Sequence, residues 1–561
     1  MQDLRYISAL AGFLLGILFF SPPAFAEEED RDEAGRHLLE AEVALEADDY
    51  LKAVIEYRKA AELSNSIQIA RRATRTAFGF GFDEEALKSA QRWLELDDGS
   101  DEALAYVAQL QLRLGNIRES KQGFEKLIER GHRPGDEQLL ALLPVFSDED
   151  AQLVDKLVRA LAKSYPDSAL AQYATAATAL SAGDLEFASA QAKRAGEIDP
   201  EWLKPKLLLA RTMLMSGDIE GAIDYTARIV GDDPYPDPDA RLDLALMLMS
   251  ANRDEDALGQ VDQVLLEQPG RYDALRLSAI INFRLNNLDL AKQDFEALLV
   301  SGRYTMDASY YLARIAEFED DPDRAIQLYS RVESGQNAVT SQQRASALLA
   351  FRKEVPDEAL ERLDDFADDH PAFAVDMTLT KARLLASLER YDEALSTYDK
   401  VVEFRPDDEF VVLGRAELLL RMERLDDAVS AYRLAVEQWP DSAISLNALG
   451  YTLADRTEEY REAEKLIRKA LKLDPESAAI IDSLGWVLFK RGRHAEALEQ
   501  LEIAYQMYPD AEVAAHLVEV LAALEREDEA LELLTEAEDK NPDSEFLQDV
   551  RERVFPDSGS E

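Results

Sequence analysis

The sequence holds no cysteine, so any chemistry would have to come from histidines, serines, glycine-rich loops or paired carboxylates. Without thiols there is no disulfide, no thiol nucleophile, no cysteine metal site and no lipidated cysteine anchor. The five histidines are His37, His132, His370, His494 and His516. None belongs to an H-E-x-x-H helix or a similar ligand spacing, so no metal is expected. No serine stands in a G-x-S-x-G or S-x-x-K setting with a partner histidine. Gly79-Phe80-Gly81 resembles the start of a phosphate loop, but no strand precedes it, and it is expected to be a turn. Among 112 acidic residues, carboxylate pairs at catalytic separation must occur by chance. The residues point to a protein that is not an enzyme and has no cofactor.

The elements that carry these residues repeat. In Ser477–Pro509, residues Leu484, Gly485, Leu488, Ala497, Leu501, Ala504 and Pro509 sit where two antiparallel helices need small or apolar side chains to touch. Stepping from Ala497, equivalent positions are Ala53, Ala86, Ser120, Val154, Ala188, Ala222, Ala257, Ala291, Ala325, Ala359, Ala394, Ala428, Ala463 and Ala530. The mean interval, (530 − 53)/14, is about 34 residues. Twelve residues after the index position the register finds Pro166, Pro200, Pro234, Pro269, Pro371, Pro406, Pro440, Pro475, Pro509 and Pro542. Proline there stops a helix, since it lacks the N–H and the ring space to continue one.

On these residues the chain resembles the tetratricopeptide repeat family. The resemblance implies an all-α fold: a right-handed α-solenoid superhelix of about 15 helix pairs over residues 27–555. Residues 27–166 are expected to be less regular, 167–542 regular, and 543–555 a C-terminal helix. Thr74 and Leu142 replace the small residue of the first helix, and Pro144 should kink its helix. In the Pro/Asp run before Arg241, helix capping by Asp237 or Asp239 is expected rather than a calcium loop. Residues 556–561 read as a disordered tail.

Composition narrows the partners. A formal net charge of −50, from 62 basic and 112 acidic residues, disfavours nucleic acid and anionic headgroups. At the N-terminus, Arg5 precedes an apolar run from Ile7 to Phe20, then Ala24-Phe25-Ala26 and an acidic stretch. The run is shorter than the ~20 residues that span a bilayer, so residues 1–26 read as a secretory signal cleaved after Ala26, with a retained N-terminal anchor as the alternative because Asp3 offsets Arg5. The protein is therefore expected in the periplasm, soluble or associated with the envelope.

A solenoid offers an extended concave surface, lined in this family mainly by the first helix of each pair. The positions that usually line it return Arg211, Arg276, Arg284, Arg314, Arg344, Arg352, Arg383, Arg421 and Lys490, with Tyr310, Phe351, Tyr451, Trp486 and Phe489. Arginine forks onto carboxylates, and aromatic faces accept apolar side chains, so these residues are candidates for a peptide or protein groove. Asn447 and Tyr451, beside Asp482, Trp486, Phe489 and Lys490, form the best single cluster. The competing expectation is that the arginines pair with aspartates such as Asp273, Asp307 and Asp482 of neighbouring repeats.

The C-terminal repeats, Asn447–Asp455 and Asp482–Phe489, resemble those of exported proteobacterial tetratricopeptide proteins, among them the envelope adaptor of a carboxyl-terminal processing protease. That resemblance implies a scaffold that binds proteins or peptides, here a periplasmic processing protease and its cell-wall hydrolase substrates. Members of that group are typically lipoproteins, and this chain has no cysteine to lipidate. Two alternatives are a scaffold for outer-membrane, pilus or polysaccharide assembly and, in a different class, a repeat-bearing cell-wall hydrolase.

Overall fold

The structure, a computed structural model, describes residues 28–232 and 235–556. The signal segment 1–26 with its cleavage site, Pro234 and residues 557–561 of the tail lie outside the described residues. Among the described residues there are 31 α-helices and no strand. Helix packing groups the chain into two units, Met1–Asn287 and Leu288–Glu561, each a stack of antiparallel helix pairs.

The index positions explain the pairing. All fifteen lie on second helices, and all are buried, the least so being Val154 at 5%. Opposite them the first helix must come close. A Cβ added at Gly485 would lie 2.5 Å from Leu501 Cγ and 3.3 Å from the Ala497 carbonyl. At Gly450 the same atom would meet Ile467 Cγ1 at 2.6 Å and the Ala463 carbonyl at 3.3 Å. Thirteen of the fifteen second helices are 14 residues long. They end where the prolines require: Phe404 before Pro406, Gln438 before Pro440, Leu473 before Pro475, Met507 before Pro509. Asp237 caps its helix as expected, accepting from the Asp239 N–H at 2.8 Å.

A second recurrence accompanies the first. Five residues before the index, thirteen of the fifteen pairs have a left-handed residue, among them Gly81, Gly115, Gly492, Asn252, Asn286, Glu389, Glu423 and Glu525. It reverses the chain between the two helices, so Gly79-Phe80-Gly81 is the turn that was expected. A glutamate there holds a conformation that costs an L-residue roughly 1–2 kcal/mol. Glycine removes that cost but loses more entropy on folding, roughly 0.5–1 kcal/mol. The triple change Glu389→Gly, Glu423→Gly and Glu525→Gly is therefore expected to raise the stability of the second unit by about 0.5 kcal/mol per site. Urea melts of the purified chain would show the midpoint moving up; a lower midpoint would contradict the strain argument.

Two pairs depart in the length of their helices. At Pro144 the first helix is broken rather than kinked: it runs only from Gly135 to Leu142 and passes into a 3-10 turn, Leu143–Phe146. Phe146 then fills the space, packing edge-on against Phe124 at 5.1 Å. The other departure falls inside the stretch expected to be regular. The second helix Pro322–Tyr329 has only 8 residues, and the next first helix, Ala338–Ala347, ends in a π-helical turn, Leu348–Arg352.

Candidate partner-binding surface

Most of the arginines assigned to the inner surface are already used within the fold. In the first unit, Arg211 forks onto the buried carboxylate of Asp243, at 2.7 and 3.1 Å. Burial still pushes the Asp243 carboxyl above its ordinary pKa, against the pull of Arg211. Arg284 donates to Asp254 at 3.1 Å and to the Met249 carbonyl and Asn252 side chain, also at 3.1 Å. Arg276 is half-buried on the same helix, and Asp273 is held by Arg271 at 2.9 Å. Arg113, which closes its first helix as Arg284 does, likewise reaches the start of the preceding second helix at Asp83, and also Glu149 of the following pair.

In the second unit, Arg344 forks onto Glu317 at 2.7 and 2.8 Å and also donates to the Tyr329 hydroxyl at 3.0 Å. Arg352 pairs with Asp320 of the preceding turn. Arg314 donates to the Tyr310 hydroxyl at 3.3 Å, and Tyr310 stands edge-on to Tyr311. Arg421 pairs with Glu417 one turn away, both exposed, and Asp307 is half-buried at its helix start. The arginine that closes a first helix thus tends to staple the preceding pair. Such partly exposed pairs contribute roughly 0–1 kcal/mol each, so they set the spacing of pairs more than they hold the stack together. Acids of neighbouring repeats hold Arg211, Arg284, Arg344 and Arg352, but they are Asp243, Asp254, Glu317 and Asp320, whereas Asp273 is held by Arg271 of its own repeat and Asp482 by His516.

The C-terminal cluster is corrected in the same sense. Asp482 and Trp486 are only 6% and 3% exposed, not open to a ligand. His516, on the next first helix, covers them: its ring stacks on Trp486 with centroids 4.0 Å apart, and Nδ1 lies 2.9 Å from Asp482 Oδ1. Trp486 Nε1–H donates to Asp455 at 3.1 Å, and Lys490 Nζ lies 4.2 Å from the Trp486 ring. Phe489 is half-buried, 5.4 Å from both Trp486 and His494. Tyr451 donates to Glu512 at 2.5 Å, and burial, followed by the Glu512 charge, pushes its hydroxyl well above the ordinary range. Asn447 is half-buried beside them, with a buried Oδ1 that no group among the described residues satisfies. These residues tie three consecutive first helices together. His516, Glu512 and Asp455 were not among the expected residues, because a histidine one repeat away carries no local motif.

What remains accessible on first helices of the second unit includes Phe351 and Arg383 of the expected residues and two that were not among them. Phe410 and Ile444 hold the second position of successive first helices and are 62% and 51% exposed. Phe351 is 51% exposed on the π-helical turn. Arg383 is exposed, with no carboxylate pairing it among the described residues, and lies beside the Tyr398 hydroxyl. The same family register that returned Trp486 also points to Phe410 and Ile444. Another recurrence went unread: four residues before the index, Arg253, Arg390, Arg424, Arg493 and Arg526 pair with an acid three residues on. That spacing marks arginines committed locally.

One group of described residues could hold a cation. His37, Glu40 and Glu56 bring ligand atoms within 4.8 Å of one another. Glu56 already receives Lys59 Nζ at 2.7 Å and lies 2.5 Å from His37 Nδ1, which accounts for the cluster as ion pairs.

The family models agree with the repeat register. One family model described as tetratricopeptide repeat matches residues 276–338, 344–409, 413–479 and 483–545, and a second with the same description matches 213–279. A TPR repeat-containing protein of Pseudomonas aeruginosa is 31% identical over 215 residues, which is 38% of this chain and 36% of that protein's own length. Among solved structures, yeast Tom70 is similar over 91% of this chain and 92% of its own, with 15% identity and a TM-score of 0.33. The APC/C hetero-tetramer Cut9-Hcn1 is similar over 94% and 97%, with 15% identity and a TM-score of 0.35.

Proposed function

The chain belongs to the tetratricopeptide repeat family, and from that premise we propose that it is an exported, non-enzymatic adaptor of the cell envelope that presents cell-wall hydrolases to a carboxyl-terminal processing protease. Tetratricopeptide arrays are scaffolds that bind other proteins or peptides. The observation that carries the reading is the pair Phe410 and Ile444, large apolar side chains left open at one register position of successive first helices. Apolar anchors of this kind suit a peptide or a helix of a partner. Export is supported by the signal-like segment 1–26, and the protease by the resemblance of the C-terminal repeats. Holding protease and substrate together would raise the substrate's effective concentration, so the adaptor needs no chemistry of its own.

The test is kinetic. The purified chain beginning at Glu27 should accelerate cleavage of a cell-wall hydrolase by the processing protease, while alone it releases nothing from peptidoglycan. An unchanged cleavage rate would remove the protease from the proposal, and product from the chain alone would remove the non-enzymatic reading. The double variant Phe410→Ala and Ile444→Ala should weaken partner binding by about tenfold or more. Its circular dichroism melt should match the parent's, because both side chains are exposed. Unchanged affinity would place the contact elsewhere.

A further inference from the structure

The edge of the second unit at which second helices end and first helices begin carries a recurrence of its own. Antiparallel pairing brings those ends together, and at four successive junctions a proline sets the turn: Pro406, Pro440, Pro475 and Pro509. Exposed apolar side chains stand beside these prolines. Phe404, Leu473 and Met507 each close a second helix, Phe404 at 74% exposure, and Tyr508 follows Met507 at 64%. Phe410 and Ile444 belong to the same edge, because each is the second residue of a first helix that begins there. Single exposed apolar residues are ordinary, but six along one edge form a strip, and strips of this kind mark interaction sites. Four of the six are aromatic or methionine, the types enriched where proteins meet.

The residue after each proline decides what the strip suits. It is acidic at all four junctions: Asp407, Asp441, Glu476 and Asp510. A carboxylate at a helix start is ordinarily a cap, and Asp510 is one, accepting from the Glu512 N–H at 2.9 Å. The other three are not. The cap positions there are Asp408, Ser442 and Ser477, one residue further on, and Asp407, Asp441 and Glu476 are exposed. The cations of the edge do not neutralise them. Arg405 is spent on Asp376 at 2.8 Å, Lys469 lies 3.2 Å from Asp441, and Lys472 is the third. Against these, Glu403, Glu437 and Asp474 add three more exposed acids. Apolar side chains and carboxylates therefore alternate from junction to junction. A second copy of this chain on the strip would set acid against acid, and so would an anionic lipid surface.

We propose that this edge, between residues 404 and 508, is the docking surface for an amphipathic helix of a partner protein whose apolar stripe is flanked by lysine or arginine. The stripe lies along Phe404, Phe410, Ile444 and Leu473, and the flanking cations meet Asp407, Asp441 and Glu476. The inference rests on the adaptor reading through Phe410 and Ile444, and it deepens that reading by naming the chemistry of the partner.

The probe is a fluorescein-labelled helical peptide of about five turns, leucine on one face and lysine on the other. Its binding to the purified chain is followed by fluorescence anisotropy at about 150 mM salt. Phe404→Ser with Leu473→Ser, outside the pair tested above, should weaken binding about tenfold or more and leave the circular dichroism melt unchanged, since both side chains are exposed. Asp407→Asn, Asp441→Asn and Glu476→Gln together should weaken it about fivefold and flatten its salt dependence. A chain this acidic attracts lysine anywhere, so the control is Glu129→Gln, Glu197→Gln and Glu255→Gln, which removes the same charge from exposed sites of the first unit and should leave binding unchanged. An equal loss in that control would overturn the inference. So would equally tight binding of a peptide of the same composition in scrambled order, or of one with glutamate in place of lysine, and so would a parent chain that ignores the peptide. Protease stimulation that is lost in Phe410→Ala with Ile444→Ala but unchanged by both edge variants would overturn the edge and leave the adaptor reading standing. Peptide binding at the edge without any stimulation would do the reverse.

Discussion

A chain carrying Gly485→Val is expected to lose the ordered packing of its C-terminal repeats at a cost of about 3 kcal/mol. The added Cβ would sit 2.5 Å from Leu501 Cγ and 3.3 Å from the Ala497 carbonyl, and the carbonyl belongs to helix backbone that cannot step aside. Valine adds two methyl groups with one strongly preferred rotamer in a helix, so no side-chain rotation relieves the clash. In a repeat array each pair leans only on its neighbours, so the loss should be local. The C-terminal pairs would melt at lower urea while the first unit keeps its midpoint. Gly414→Ala makes the comparison. Its Cβ meets only the Tyr398 hydroxyl end of a side chain, at 3.1 Å, and alanine favours helix, so it should cost little or stabilise. Near-ultraviolet circular dichroism, sensitive to the buried Trp486, would follow the first and far-ultraviolet signal the second. Equal midpoints for Gly485→Val and the parent would show that the pair can separate without penalty.

The second large effect concerns Asp482 and His516. Removing the carboxylate with Asp482→Ala leaves a buried imidazole without its partner, and breaking such a pair typically costs about 3 kcal/mol. The pH dependence carries more information than the loss. Burial by itself would lower the pKa of His516, but Asp482 first, then Glu512 and Glu519, outweigh it, and the net shift is upward. A histidine whose folded pKa is raised contributes stability that is fully present below its unfolded value, about 6.5. That contribution is lost as pH rises through the raised folded value. The parent's C-terminal repeats should therefore weaken in mildly alkaline buffer. In Asp482→Asn burial is no longer opposed by its main partner, and the slope should reverse, with stability falling on acidification. Urea melts between about pH 5 and 9, with Tyr451 and Glu512 intact in both chains, would decide it. A parent whose midpoint does not change across that window would mean that His516 keeps one charge state.

Much of the fold was legible because the repeat period reports contacts inside a pair. Ala53 and Ala530 are 477 residues apart, yet both lie at 0% exposure on second helices, as the register requires. The helix ends at Phe404, Gln438, Leu473 and Met507 were legible in the prolines two residues on. Pro144 pointed to the right place and the wrong outcome. A kink needs helix on both sides, and the chain after Leu142 found better packing for Phe146 in a 3-10 turn. The truncation after Tyr329 was invisible. Ala325 and Ala359 keep the spacing, and Val332 stays buried even though it has left the helix, so the apolar pattern continues across a break in the backbone.

By itself the sequence determined the helix pairs, the ends that a proline marks and the small residues at which the helices touch, because those follow from the order of side chains along one or two helices. Only the tertiary structure decided which inner residues are free. Whether Trp486 is an open face or a covered one depends on a ring that arrives from His516, thirty residues later and in another pair. The same physics freed Phe410 and Ile444 and spent Arg344 on Glu317. Exposure is a property of neighbouring pairs, and a register read along one chain carries no record of the neighbour.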